Sequence, residues 1–253
     1  MAYPKVKSLL EAAASLFDPA QGSARDMRRR LRLLAEPSLD GLLSPLIVQA
    51  AVTAPSLDVL LGCAPYEELV EASRRGKVDI AFHLGGPIAE LDCSHVWREP
   101  LHLVASARHP LARERVVTPA QLRDHSLVLP PEGSQVRRLV LAELERIGCR
   151  DLLCVPVTAS NDHIVREAVL LGIAIAPCFG RSLQADLEAQ RLVTLPVTGA
   201  EMGLDVRIGL AAGLGSDAAV AALARFLAVE SGRLAHESGQ RRVIGSPIAD
   251  CAA

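Results

Sequence analysis

Apolar runs of strand length alternate along the chain with longer amphipathic stretches, and glycine or proline punctuates most of the boundaries. Residues 30–36 read as a strand, and residues 38–53 as a helix that starts at a capping serine after Pro37. Leu57–Cys63 reads as a second strand, residues 65–75 as a helix opened by proline and closed by Gly76, and residues 78–83 as a third strand. The third run is nearly all apolar, which predicts burial on both faces. This order of elements demands a parallel sheet with right-handed crossovers.

The same unit then recurs at a spacing of about 95 residues. Strands are predicted at 126–129, 152–159 and 173–178, with helices at 134–147 and 161–171 that end at Gly148 and Gly172. Two α/β lobes follow. An extended run at 96–107, broken only by Pro100, lies between them, and a second one at 204–212 precedes a helix from 216 to about 234. If that helix returns to the first lobe, the chain crosses twice and the two runs form a hinge beside a cleft. Ligands of open α/β sheets bind at the carboxyl ends of strands, where helix N-termini point into the crevice.

Composition narrows the candidates. Half of the 253 residues are apolar, too many for a disordered chain. The longest uncharged stretch, 41–57, contains Pro45, Gln49 and Pro55 and fails as a membrane span, and the N-terminus lacks the apolar block of a signal peptide. A cytoplasmic protein is expected. The six cysteines include no C-x-x-C pair and the seven histidines no pair at helical spacing, so neither metal nor cofactor is expected. Only seven residues are aromatic, which leaves no stacking platform for planar ligands and favours a small polar or anionic molecule held by backbone groups. The net charge of −2 conceals an asymmetry: residues 1–32 carry seven basic and three acidic side chains, so the remainder is acidic and would repel DNA. The cluster Arg25, Arg28, Arg29, Arg30 and Arg32 reads as a solvated linker and strand edge, with phosphate contact as the alternative.

Several short motifs in this order resemble one family. They are Leu16-Phe17-Asp18-Pro19, the run 28–34, Pro37-Ser38-Leu39, Gly76-Lys77-Val78-Asp79-Ile80-Ala81, Glu99-Pro100-Leu101 leading to His109-Pro110-Leu111, Pro131-Glu132-Gly133-Ser134, and Leu170-Leu171-Gly172-Ile173-Ala174-Ile175-Ala176-Pro177. Together they resemble the effector-binding part of LysR-type transcriptional regulators over about residues 9–230. The resemblance implies an α/β fold of two Rossmann-like lobes joined by a two-strand hinge, the type 2 periplasmic-binding-protein fold. It also implies a small-molecule effector in the interlobe cleft and assembly into homodimers or tetramers. By this reading residues 1–29 are a remnant of the linker helix, 30–104 with 207–235 the first lobe, 105–206 the second, and 236–253 a disordered tail. DNA would be bound only through a winged helix-turn-helix, for which the residues before the first strand are too few.

Ser38, Ser134 and Asn161-Asp162 each stand at a helix start after a strand. Such a start leaves about four backbone N–H groups unpaired and carries about half a positive charge, which suits a carboxylate or phosphate. Plain capping, worth about 1 kcal/mol each, is the structural alternative. Asp162 repels an anion unless it turns away or binds an effector amine or hydroxyl. The family resemblance makes these positions, with Pro37 and Gly133 beside them, part of the effector cleft. Cys63 and His83 end strands of the first lobe and Cys178 ends the matching strand of the second, so the strand-end rule adds all three to the candidate set. Gly213-Leu214-Gly215-Ser216 matches half of a dinucleotide fingerprint and reads better as a loop leading into a helix. No nucleophile with a base partner is found, so no catalysis is expected. A solute-binding protein, or an enzyme on the same scaffold, is the rival reading.

Overall fold

The computed structural model describes residues 29–53, 56–130, 132–149, 154–158, 162–179 and 183–243. The linker remnant expected at the N-terminus, Asn161, and the last ten residues lie outside these. The chain divides into two compact units: Met1–Ala64, Glu68–Trp97 and Val206–Ala253 form one, and Arg98–Asp205 with Pro65–Glu67 the other.

In the first unit β1 (Arg29–Ala35) pairs in parallel with β2 (Leu57–Cys63) and with β3 (Ile80–Leu84). Between β1 and β2 come a 3-10 turn at Pro37–Leu39 and helix α1 (Asp40–Thr53); α2 (Tyr66–Arg74) joins β2 to β3. Leu31, Leu33 and Ala35 alternate into the core, as the period of a half-buried strand requires, and all five side chains of β3 are buried. Both long strands, β4 (Leu91–Ser106) and β9 (Met202–Ala211), begin in one unit and end in the other. In the first unit β9 lies antiparallel to β3, with Ile80 opposite Leu210 and Leu84 opposite Val206. Helix α7 (Ala218–Val243) closes this unit with Val220, Leu223, Ala224 and Leu227 buried at helical spacing. Gly213 takes a left-handed φ of 81° before a short 3-10 turn, and the Asp217 carboxylate accepts the Ala219 and Val220 N–H groups, so this loop is a helix start.

The second unit holds α3 (Pro119–Leu122), β5 (Leu127–Leu129), α4 (Gln135–Arg146), β6 (Cys154–Thr158), α5 (Asp162–Leu170), β7 (Ala176–Phe179), α6 (Gln184–Glu188) and β8 (Leu192–Leu195). Its β4 segment pairs antiparallel with β7 and β8, while β5 and β6 are parallel. Val104, Val128, Val165, Val169, Ala176 and Leu192 form its apolar core.

Two expectations are corrected and a third is refined. Residues 173 and 174 fall outside the predicted strand because the chain is still closing α5, the Gly172 N–H bonding the Val169 carbonyl and the Ile173 N–H that of Ala168, with Gly172 at φ 71°; Ile175 already pairs in parallel with Leu127. The final helix runs past residue 234 to Val243, through part of the stretch expected to be a disordered tail, because no proline interrupts it. The arginines of β1 are solvated as expected, with side chains 45%, 75% and 40% exposed for Arg29, Arg30 and Arg32, and each also pairs with an acidic residue of the fold. Arg29 bonds Asp217, Arg30 meets Asp58 at 3.0 Å, and Arg32 grips both carboxylate oxygens of Asp79 at 2.9 and 3.0 Å.

Candidate functional site

In the first unit the carboxyl ends of β1, β2 and β3 lie side by side, since Ala35 is in register with both Cys63 and Phe82. The ladder between β1 and β3 is continued by Glu36. Its N–H donates to the Phe82 carbonyl at 3.0 Å, and its buried carboxylate accepts the Leu84 N–H at 2.7 Å. A side chain thus replaces the strand where Pro37 removes a backbone donor.

Ser38 was expected to cap the helix directly. It lies instead inside the 3-10 turn, and the α-helix starts two residues later at Asp40. Asp40 brings a carboxylate into the first helical turn, where it accepts a bond from Ser44 Oγ at 2.5 Å. The exposed Cys63 faces it. Partial burial raises the thiol above its ordinary value, and the charge of Asp40 and a hydrogen bond to it raise it further. Cys63 is therefore a protonated donor satisfied by Asp40.

His83 has no solvent exposure, and its Nε2 is 3.6 Å from Cys93 Sγ. Burial, with a smaller contribution from the Arg207 charge, lowers its pKa to about 4 against an opposing backbone bond at Leu84. It is a neutral core group at neutral pH. Arg207 stands opposite it on β9 and donates from Nε to the Gly85 carbonyl at 2.9 Å.

In the second unit Gly133 has φ 79°, and Ser134 holds the N-cap position of α4 in extended conformation, with no capping bond from its hydroxyl. The first turn of α4 contains no acidic residue of its own, but the Glu67 carboxylate lies against Gly133 just ahead of it, where an added Cβ would stand 2.6 Å from Glu67 Oε2. Asp162 begins α5. Cys178 is 4% exposed and sits in the core of this unit, its thiol donating to the Phe179 carbonyl at 3.3 Å.

The strand-end residues are thus of two kinds. Pro37, Ser38, Cys63, Gly133 and Ser134 are exposed or half-buried, whereas His83 and Cys178 are core residues. Glu36, Asp40 and Arg207 join the strand ends only in the structure. Asp40 had a signal in its place within the first turn of a helix that follows a strand; the other two depend on partners 48 and 122 residues away. Among the described residues no three His, Cys, Asp or Glu side chains gather as metal ligands, and no helix is long and apolar enough to cross a membrane.

The model of the LysR substrate binding domain matches residues 24–231. The chain belongs to this family. Among its relatives, the RuBisCO operon transcriptional regulator of Allochromatium vinosum is 28% identical over 135 residues, covering 53% of this chain and 44% of that protein. The uncharacterized HTH-type transcriptional regulator YfeR of Shigella flexneri is 24% identical over 181 residues, covering 71% and 59%. The chain spans about half the length of these LysR relatives. Among solved structures, the CcmR regulatory domain of Synechocystis, in complex with 2-PG, superposes with a TM-score of 0.70 at 19% identity, covering 79% of this chain and 97% of that one. The fold is that of LysR regulatory domains, which is type 2 periplasmic-binding-protein-like, and the chain is an effector-binding domain of this kind.

Proposed function

We propose that this domain senses a small metabolite for a cytoplasmic LysR-type transcriptional regulator. DNA binding would rest with a winged helix-turn-helix segment and the assembly would be a homodimer or a higher oligomer. The family match over 24–231 carries this reading. In the first unit the effector meets Pro37, Ser38 and Cys63; in the second it meets Gly133, Ser134, Asn161 and Asp162. His83 and Cys178 support these positions from the core.

The charges at the helix starts support a polarity for the effector. Asp40 puts a negative charge in the first turn of α1, which disfavours an anion there and favours an amine or hydroxyl donor. The first turn of α4 has no acidic residue of its own and suits the anionic group once the Glu67 carboxylate beside Gly133 turns aside. The effector therefore carries both an anionic and a hydrogen-bond-donating group. It acts by binding one arrangement of the regulator better than another, and shifts the population only by that difference.

A thermal-shift screen of small carboxylates, hydroxy acids and amino acids tests this. A ligand at about 100 times its Kd stabilises by about 2.7 kcal/mol. Substitution of Ser38→Trp is expected to abolish the shift; an unchanged shift would place the ligand elsewhere. Turnover of a candidate, rather than saturable binding, would overturn the sensor reading.

A further inference from the structure

The turn that follows β4 is closed by a histidine acting as a hydrogen-bond acceptor. His109 precedes Pro110 and takes the extended conformation this favours, with φ −64° and ψ 142°. Its N–H donates to the Ser106 carbonyl and its carbonyl accepts the Ala112 N–H, both at 2.9 Å. Its ring closes the turn: the Leu111 N–H donates to Nδ1 at 3.2 Å. The ring is buried, and its centroid is 4.5 Å from that of His125.

This geometry works in one protonation state. An accepting Nδ1 puts the ring proton on Nε2, and a second proton would turn Nδ1 into a donor facing the Leu111 donor. It would also place a charge in a buried ring beside another imidazole. His125 is the titratable group set against His109. Arg108, Arg113 and Glu114 on the same turn are exposed, as is Asp124 beside His125, and β8, which packs on the turn, has no ionisable side chain.

We propose that His109 and His125 form a proton-sensitive clasp that fastens residues 106–113 when His109 is neutral and releases them when it is protonated. The clasp lies directly after the strand that carries the chain from the first unit into the second. Burial, and then His125, hold the His109 pKa below the usual 6.5, so the turn is fastened at neutral pH and loosens on acidification.

Amide hydrogen exchange of the whole chain, corrected for intrinsic rates and read beside the NMR titration of the His109 ring, tests the clasp. Protection of the Leu111 amide is expected to fall by up to tenfold per pH unit between about pH 6.5 and the midpoint of the ring, and then to level off. In H109N, where an amide oxygen takes over the acceptor role, protection is expected to stay pH-independent over that range. In H125F the His109 midpoint moves up. Protection of Leu111 that is unchanged through the His109 titration in the wild-type chain overturns the clasp, as does the same pH dependence in H109N.

Discussion

Two carboxylates, Glu36 and Asp40, flank the turn that follows β1, and they do different work. Glu36 is buried and holds the Leu84 N–H, so it fixes the strand end. Asp40 is half-buried, bonded to Ser44 and set against Cys63, so it colours the surface electrostatically. D40N is expected to keep the fold and to raise the affinity of simple carboxylates by roughly tenfold, while weakening ligands that bring an amine, as isothermal titration would report. His83 makes a separate prediction. Its folded pKa of about 4 lies below the unfolded value of 6.5, so the unfolded chain binds more protons between these limits and stability falls as pH drops through that window. Urea unfolding at pH 7 and pH 4.5 is expected to show a loss smaller by roughly 2–3 kcal/mol in H83L, which keeps an apolar group in an all-buried strand and cannot titrate. An equal loss in both proteins would relieve His83 of that role.

At the scale of elements, one termination device is used three times. Gly76, Gly148 and Gly172 end α2, α4 and α5 with φ of 63°, 80° and 71°, each followed by a residue whose N–H reaches back to the last turn. A Cβ on Gly172 would meet nothing within 4 Å, so the cost of G172A is the left-handed backbone alone, about 1–2 kcal/mol by thermal or urea unfolding. Gly209 on β9 is the opposite case. A Cβ there comes within about 3 Å of Leu91 and Cys93, and G209V is expected to destabilise by about 1–3 kcal/mol through overpacking. These helix ends were legible in the sequence because each glycine acts locally. The bounds of β2 were equally legible, since a short apolar run between turn residues admits one reading. The core placement of Cys178 was not, since alternation along a strand tells which side chains share a face and not what covers that face; for His83 the apolar run 78–83 pointed to burial while its place at a strand end pointed to the cleft. The extra length of β4 was hidden because Asp92, Ser94 and His95 make residues 91–95 read as a polar loop until β9 lies beside them.

At the scale of the whole molecule, one edge of the sheet is unpaired among the described residues. Strand β2 ends the order β2-β1-β3-β9, is seven residues long without proline, and has Leu60 61% exposed; Val48 on α1 is 64% exposed. Long apolar edges invite pairing unless something covers them. A second copy of the chain fits the oligomeric habit of the family, and sedimentation equilibrium is expected to give a dimer, with L60E shifted toward monomer and unchanged in fold by circular dichroism. A monomeric wild-type chain would refute this. The family itself was legible because its short motifs keep their order and spacing over most of the chain, whereas the ligand polarity proposed above depends on where the Asp40 and Glu67 carboxylates stand.

The double passage of the chain through β4 and β9 also sets an order of assembly. The second unit is almost wholly one continuous stretch, Arg98–Asp205, inserted into the first. The first unit lacks the β9 partner of β3 and the helix that closes it until residues beyond Val206 have been made. On a ribosome synthesising from the N-terminus, the inserted unit has all its strands available while its host is still incomplete. β3 must meanwhile wait across more than a hundred residues for its antiparallel neighbour, a long-range closure that slows folding.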